Sequence, residues 1–239
     1  MIKSNKLIKN LVLIGGGVMR KGETHKIDHW MINRIMNKKR IKKPMVLFVP
    51  SASGDLGEYV QDFTERYKRY GAKVESLFLV KKTPSQAKIR KSFMEADLIY
   101  FGGGDANLLL DTFAKFNLES SCVNAIRNNS IISGLSAGAI IWGNKFLNFD
   151  RKGNKFVNFR IENGLGWIDK LIIPHFDLSI FKNQKVLKLL KLNLHADALA
   201  IGDGTAAYWE NKLSPRFKRQ KKSCPGTSSS IKNLIHKYE

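Results

Sequence analysis

Short, almost wholly apolar runs recur along the chain, each ending in small residues or glycines. Leu11-Val12-Leu13-Ile14 ends at Gly15-Gly16-Gly17, Met45-Val46-Leu47-Phe48-Val49 at Pro50-Ser51, and Asp97-Leu98-Ile99-Tyr100-Phe101 at Gly102-Gly103-Gly104. Ser130-Ile131-Ile132-Ser133 ends at Gly134, and Lys73 to Val80 is a further strand candidate. Runs without polar alternation are what a parallel sheet needs when both of its faces are covered. Between them the apolar spacing becomes helical, over roughly His25–Asn37, Gly57–Tyr70, Ser85–Phe93 and Ala106–Phe116. Thr83-Pro84-Ser85-Gln86 reads as a helix start, with Thr83 as cap, Pro84 in the first position and Gln86 closing a capping box. The repeated strand–helix unit predicts an α/β fold, a doubly wound, mostly parallel sheet with helices on both faces. Ligands of such sheets sit at the carboxyl ends of the strands, where the glycine turns fall.

After Trp142 the regularity weakens. Leu171-Ile172-Ile173-Pro174 is strand-like, Phe181–Leu194 has a helical apolar face, and Ala198–Gly202 and Ala206–Trp209 look like closing strands. From Asn211 the composition turns basic and then serine-rich, through Pro225-Gly226-Thr227-Ser228-Ser229-Ser230. The expectation is one α/β domain over residues 1–210 and a basic, serine-containing tail over 211–239, open to disorder.

Composition narrows the class. With 239 residues, 43% of them hydrophobic, the chain has enough apolar mass for a core, which excludes wholesale disorder. No apolar run approaches the ~20 residues of a membrane span, and the first residues show no signal-peptide cleavage pattern, so no membrane role and a cytoplasmic location are expected. Two cysteines make neither a disulfide framework nor a metal cluster. The net charge of +21 raises the question of nucleic acid. The excess is spread along the chain, is mostly lysine, and forms no aromatic–arginine reading module, so only weak, salt-sensitive binding is expected and no specific nucleic-acid partner.

Candidate chemistry centres on Gly134-Leu135-Ser136-Ala137-Gly138, which matches G-x-S-x-G between an apolar strand and a helical run. A sharp strand-to-helix turn leaves no room for side chains at the flanking positions and lifts a serine hydroxyl to the sheet edge, where the Ala137 amide can donate to an oxyanion. A bland reading is that small residues merely close a turn. Such a serine needs a base. His175 follows a strand directly and so shares the edge with Ser136, whereas His195 lies near a helix end and His236 in the tail. His25 and His29 stand four apart on a helix, a spacing that can bind metal, but Lys26 occupies the position where the metalloprotease pattern has glutamate. Asp203, Asp177 and Asp150 are candidates for the orienting acid, with an ordinary Asp-Gly turn competing at Asp203. The order Ser, His, Asp argues against an α/β-hydrolase. Neither glycine triplet completes a dinucleotide or P-loop signature.

Together, Gly102-Gly103-Gly104 with Leu108-Leu109, Ser133 through Ala139, Ile173-Pro174-His175-Phe176 and Ile201-Gly202-Asp203-Gly204 resemble the dipeptidase E (aspartyl dipeptidase) family of serine peptidases. Cyanophycinase is a relative, and the family's fold is like that of class I glutamine amidotransferases. The resemblance implies Ser136 as nucleophile, His175 as base and Asp203 as acid, the best-known members having glutamate there. It places the oxyanion hole at the amides of Ala137 and of Gly103 or Gly104. It also implies an exopeptidase that releases amino-terminal aspartate from short peptides without metal or cofactor. Arg160 and Arg151, lying between nucleophile and base, are candidates to bind a substrate carboxylate. The competing readings are a cyanophycinase-like or other small-amide hydrolase, and a family member that has lost catalysis. For self-association, base rates alone favour a homodimer.

Overall fold

A computed structural model describes residues 9–153, 155–176, 183–193 and 197–210, with two short strands at 216–219 and 226–227. Five parallel strands form the centre of the first sheet: β1 (Leu11–Ile14), β2 (Met45–Val49), β3 (Lys73–Ser76), β4 (Leu98–Phe101) and β5 (Ile131–Leu135). They stand in the order β1-β5-β4-β2-β3. Leu11–Ile14, Leu98–Phe101 and Ile131–Leu135 are buried throughout, as two-sided cover requires. That cover is α1 (His25–Lys39) and α2 (Gly57–Arg69) with one apolar cluster, and α3 (Gln86–Glu95), α4 (Ala106–Phe116) and α5 (Leu118–Arg127) with the other. A one-turn helix, α6 (Ala137–Ile140), follows β5.

A second sheet was not foreseen. It is built from β6 (Gly143–Lys152), β7 (Lys155–Asn163), β8 (Ile168–Ile173) and β9 (Ala198–Ala200), with α7 (Gln184–Asn193) between the last two. β6 and β7 are antiparallel, while β8 runs parallel to both β6 and β9. The chain then returns to the first sheet as β10 (Thr205–Trp209), antiparallel to β1. Trp142 joins the two halves of the core. Its ring lies against Phe101 and Phe113 on one side and Trp167 on the other, and its indole N–H donates to Gly138 O at 2.9 Å. No helix among the described residues is long and apolar enough to cross a membrane.

Three expectations change. The segment read as a tail contributes β11 (Arg216–Arg219), antiparallel to β10, and β12 (Gly226–Thr227), antiparallel to β9. Both occupy edges, where the basic residues of β11 are tolerated. The cap of α3 is Ser85, whose Oγ accepts from the Lys88 N–H at 3.2 Å, while Gln86 reaches across to Phe116 O. β3 stops at Ser76 rather than running to Val80, because the later backbone is taken by another partner: the Val80 and Lys81 amides both donate to Asp55 Oδ2.

Beneath α1 lies a buried carboxyl. Asp28 accepts from Thr24 Oγ1 at 2.7 Å and Tyr67 Oη at 3.0 Å, and burial pushes its pKa from the usual 3.8 up to about 6. The folded chain therefore holds this proton more tightly than the unfolded chain, so Asp28 lowers stability as pH rises from about 4 to about 6. Asp28→Asn carries no charge to bury. The unfolding free energy of the variant relative to wild type is expected to shift in its favour across that window, read by denaturant unfolding at successive pH values.

Candidate active site

At the carboxyl end of β5 the chain turns through Ser136 into α6. Ser136 sits at φ 51°, ψ −111°, a conformation that costs a non-glycine residue on the order of 1–3 kcal/mol. The surroundings enforce it: the Ser136 N–H donates to Ile14 O at 2.9 Å, and its carbonyl accepts from the amides of Ala139 and Ile140. The flanking glycines are steric necessities. A Cβ at Gly134 would stand 1.9 Å from Gly138 O, and one at Gly138 would stand 2.2 Å from Phe101 O.

His175 leaves the end of β8 with φ 49°, pinned by its N–H to Gly15 O at 3.1 Å. Its Nε2 is 2.8 Å from Ser136 Oγ and its Nδ1 is 2.7 Å from Asp203 Oδ1. Asp203 is held beside the end of β1 by an isolated bridge to Gly16. The imidazole is nearly enclosed, with 8% of its side chain exposed, and lies against the rings of Phe149 and Phe156 of the β6–β7 hairpin. Asp203 is 56% exposed. Gly16 makes the junction possible, since a Cβ there would stand 2.0 Å from Asp203 Oδ1 and 2.3 Å from His175 Nδ1.

The other acids are placed differently. Asp150 is bonded to Asn158 Nδ2 and to Arg160, which hold its carboxyl below the usual range. Asp177 lies outside the described residues, as do His195 and His236. Of the amides expected to line an oxyanion hole, that of Ala137 begins α6 and so has no helical carbonyl to donate to. Gly103 stands against the serine, its ideal Cβ 3.5 Å from Ser136 Cβ, and its N–H donates to Tyr59 Oη at 3.3 Å. Gly104 lines the same space.

That space is a cavity of ≈ 780 Å³ over Ser136 and His175. Arg160 is in its wall, paired with Asp150 at 3.0 Å and Glu162 at 2.9 Å. The Arg151 side chain lies outside the described residues. Arg20, bonded to Asp62, and Tyr59 complete one side, and sequence reasoning had missed both. The available signal was position: Tyr59 opens α2 just past the carboxyl end of β2, and Arg20 follows the Gly15–Gly17 turn of β1. Burial drives the Tyr59 phenol far above its ordinary pKa, so it stays protonated. His25 and His29 are elsewhere, beside Tyr70. No group of three or more metal-ligating side chains occurs among the described residues.

A hydroxyl raised on a strand–helix elbow and bonded to a histidine that is bonded in turn to a carboxylate has the geometry of a serine-hydrolase triad. The comparisons make the assignment specific. Residues 11–214 match Peptidase family S51; the chain belongs to that family and is a serine-type peptidase. It is 27% identical over 205 residues to the uncharacterized peptidase YgaJ of Bacillus subtilis (strain 168), covering 85% of this chain and 84% of that protein. In fold it is similar to a peptidase from an acI-B1 Actinobacterium, with a TM-score of 0.67, 22% identity and coverage of 95% of this chain and 100% of that one. It also resembles a protein described as a peptidase E from Listeria monocytogenes EGD-e, with a TM-score of 0.62, 20% identity and coverage of 90% and 100%.

Proposed function

We propose that the chain is an exopeptidase of short peptides, amino-terminal aspartyl dipeptides first among them, acting through Ser136, His175 and Asp203. The observation that carries this reading is the continuous relay from Ser136 Oγ to His175 Nε2 and from Nδ1 to Asp203 Oδ1, open to a cavity of peptide size. Asp203 accepts the Nδ1 proton and so fixes the tautomer in which Nε2 is the base. Nε2 takes the hydroxyl proton as Oγ attacks the scissile carbonyl. The developing oxyanion accepts from the Ala137 N–H and from the Gly103 N–H, displacing the Tyr59 hydroxyl as the acceptor of the latter. His175 then protonates the leaving amine, and water, deprotonated by the same nitrogen, hydrolyses the acyl-enzyme.

Arg160 supplies the contact for a substrate carboxylate. It keeps Glu162 and exchanges Asp150, itself half-exposed, for the aspartate side chain. The test is hydrolysis of amino-terminal aspartyl, leucyl and arginyl amides. Preference for the aspartyl compound supports the reading, and preference for either analogue keeps the hydrolase and discards the aspartate specificity. Arg160→Gln is expected to lower kcat/KM on the aspartyl amide about tenfold or more, the worth of one charge-assisted contact, with little change on the leucyl amide.

A further inference from the structure

A second cavity, of ≈ 380 Å³, lies between α1 and the end of α2 and shares no lining residue with the first. Its walls are His25, His29, Arg66, Arg69 and Tyr70. This is the histidine pair whose spacing suggested a metal, but the surroundings are wrong for a cation. Two guanidinium groups face the same space, no carboxylate lines it, and His25 Nδ1 is engaged at 2.6 Å by Tyr70 Oη. What the cavity has is donors. The imidazoles are stacked with centroids 6.0 Å apart, and each lies about as close to the tyrosine ring, at 5.5 and 5.4 Å. With Nδ1 accepting from Tyr70, the His25 proton sits on Nε2, which then donates.

Arg66 adds the observation that asks for a ligand. Its Nε is buried with no hydrogen-bond partner, while its Nη2 is bonded to Met19 O. A buried guanidinium N–H left without an acceptor is costly, and the Arg66 side chain that carries it lines this cavity. The Arg66 guanidinium also hydrogen-bonds the Tyr70 side chain and feels the charge of Asp28, but no carboxylate bond to it is seen among the described residues. Asp28 is committed to Thr24 and Tyr67, and Glu65 accepts from Gln61 Nε2 at 3.0 Å and reaches Arg69 at 3.7 Å on the surface.

We infer that this cavity is an anion site for a phosphate group, held by Arg66, Arg69, His25 and His29. A tetrahedral oxyanion presents acceptors in several directions, as the arrangement of donors from two helices requires, and two arginines balance its double charge. The aromatic faces of Tyr70 and the imidazoles leave room for a small organic substituent. Through Arg66 and Met19 the site backs onto the segment that carries Arg20 into the active cavity.

The test is calorimetric titration of the full chain with inorganic phosphate and with glycerol 3-phosphate, each at ionic strength held constant with sodium chloride. Saturable one-site binding is expected, weakened about tenfold by Arg69→Gln and again by His29→Gln. Both of these side chains are solvent-facing, and circular dichroism should show the variants folded; Arg66, which also secures Met19, is the poorer choice. Tighter binding of glycerol 3-phosphate identifies an ester as the ligand, and equal or tighter binding of inorganic phosphate identifies the free ion. Absence of saturable binding by both probes, binding unchanged in both variants, or Zn²⁺ binding lost in His29→Gln without phosphate binding would each overturn the assignment.

Discussion

Ser136→Ala is expected to lower kcat by ~10⁴–10⁶-fold on any peptide the wild type cleaves, leaving only what binding and the oxyanion donors supply. The fold should persist, because the hydroxyl has one bond, to His175, and the backbone contacts of the turn do not involve it. A second substitution separates chemistry from strain. Ser136→Gly removes the same hydroxyl and also the Cβ that is disfavoured at φ 51°. It should be as inactive as the alanine variant and unfold at a higher Tm. Single-turnover assays beside thermal unfolding read both effects. Appreciable turnover by either variant would move the nucleophile elsewhere.

The next largest effect is expected from a residue with no side chain. Gly16→Ala places a methyl group 2.0 Å from Asp203 Oδ1 and 2.3 Å from His175 Nδ1, distances that no real Cβ tolerates. Either the carboxylate or the imidazole must move, and the histidine loses the bond that orients it. A misplacement of about 1 Å costs on the order of 10²-fold in rate, so kcat should fall by at least that much. Substrate affinity should change less, since Gly16 does not line the active cavity. A kcat within a few-fold of wild type would show that the Asp203–His175 bond contributes little.

What could be read in the chain was set by how local its causes are. β1, β2 and α4 lie where the apolar spacing placed them, because unbroken apolar runs and an Asp105 cap followed by a helical face are local signals. The α5 helix was missed since it starts directly from Asn117, a left-handed residue that also ends α4, with no loop to announce it. The β6–β7 hairpin was missed for a different reason. Its residues alternate around Asn148, Asp150 and Asn158 with many charges, and what holds it is pairing with β8 and packing of Phe149 and Phe156 against His175.

The site divides the same way. Ser136 and His175 each end an apolar run, so the sheet-edge rule selects them. Asp203 could be separated from Asp150 only by distance: one carboxylate is 2.7 Å from the imidazole and the other is bonded to Arg160 and Asn158. Nor does the sequence reveal that Arg160 already has two acidic partners, since that depends on the register of the β6–β7 hairpin, or that Tyr59 accepts from the Gly103 amide, since that joins elements far apart in the chain.

The relay also has an order of manufacture. Its three members come from the ends of β5 and β8 and from the approach to β10, and all meet at the end of β1, through Ile14 O, Gly15 O and the Gly16 bridge. A ribosome releases Ser136 first and Asp203 last. On the proposed roles, a growing chain carries a serine with no base, then a base with no orienting acid, and becomes competent only when nearly all of the domain has been made and folded. The connectivity of the strands thus withholds the assembled relay until late in synthesis.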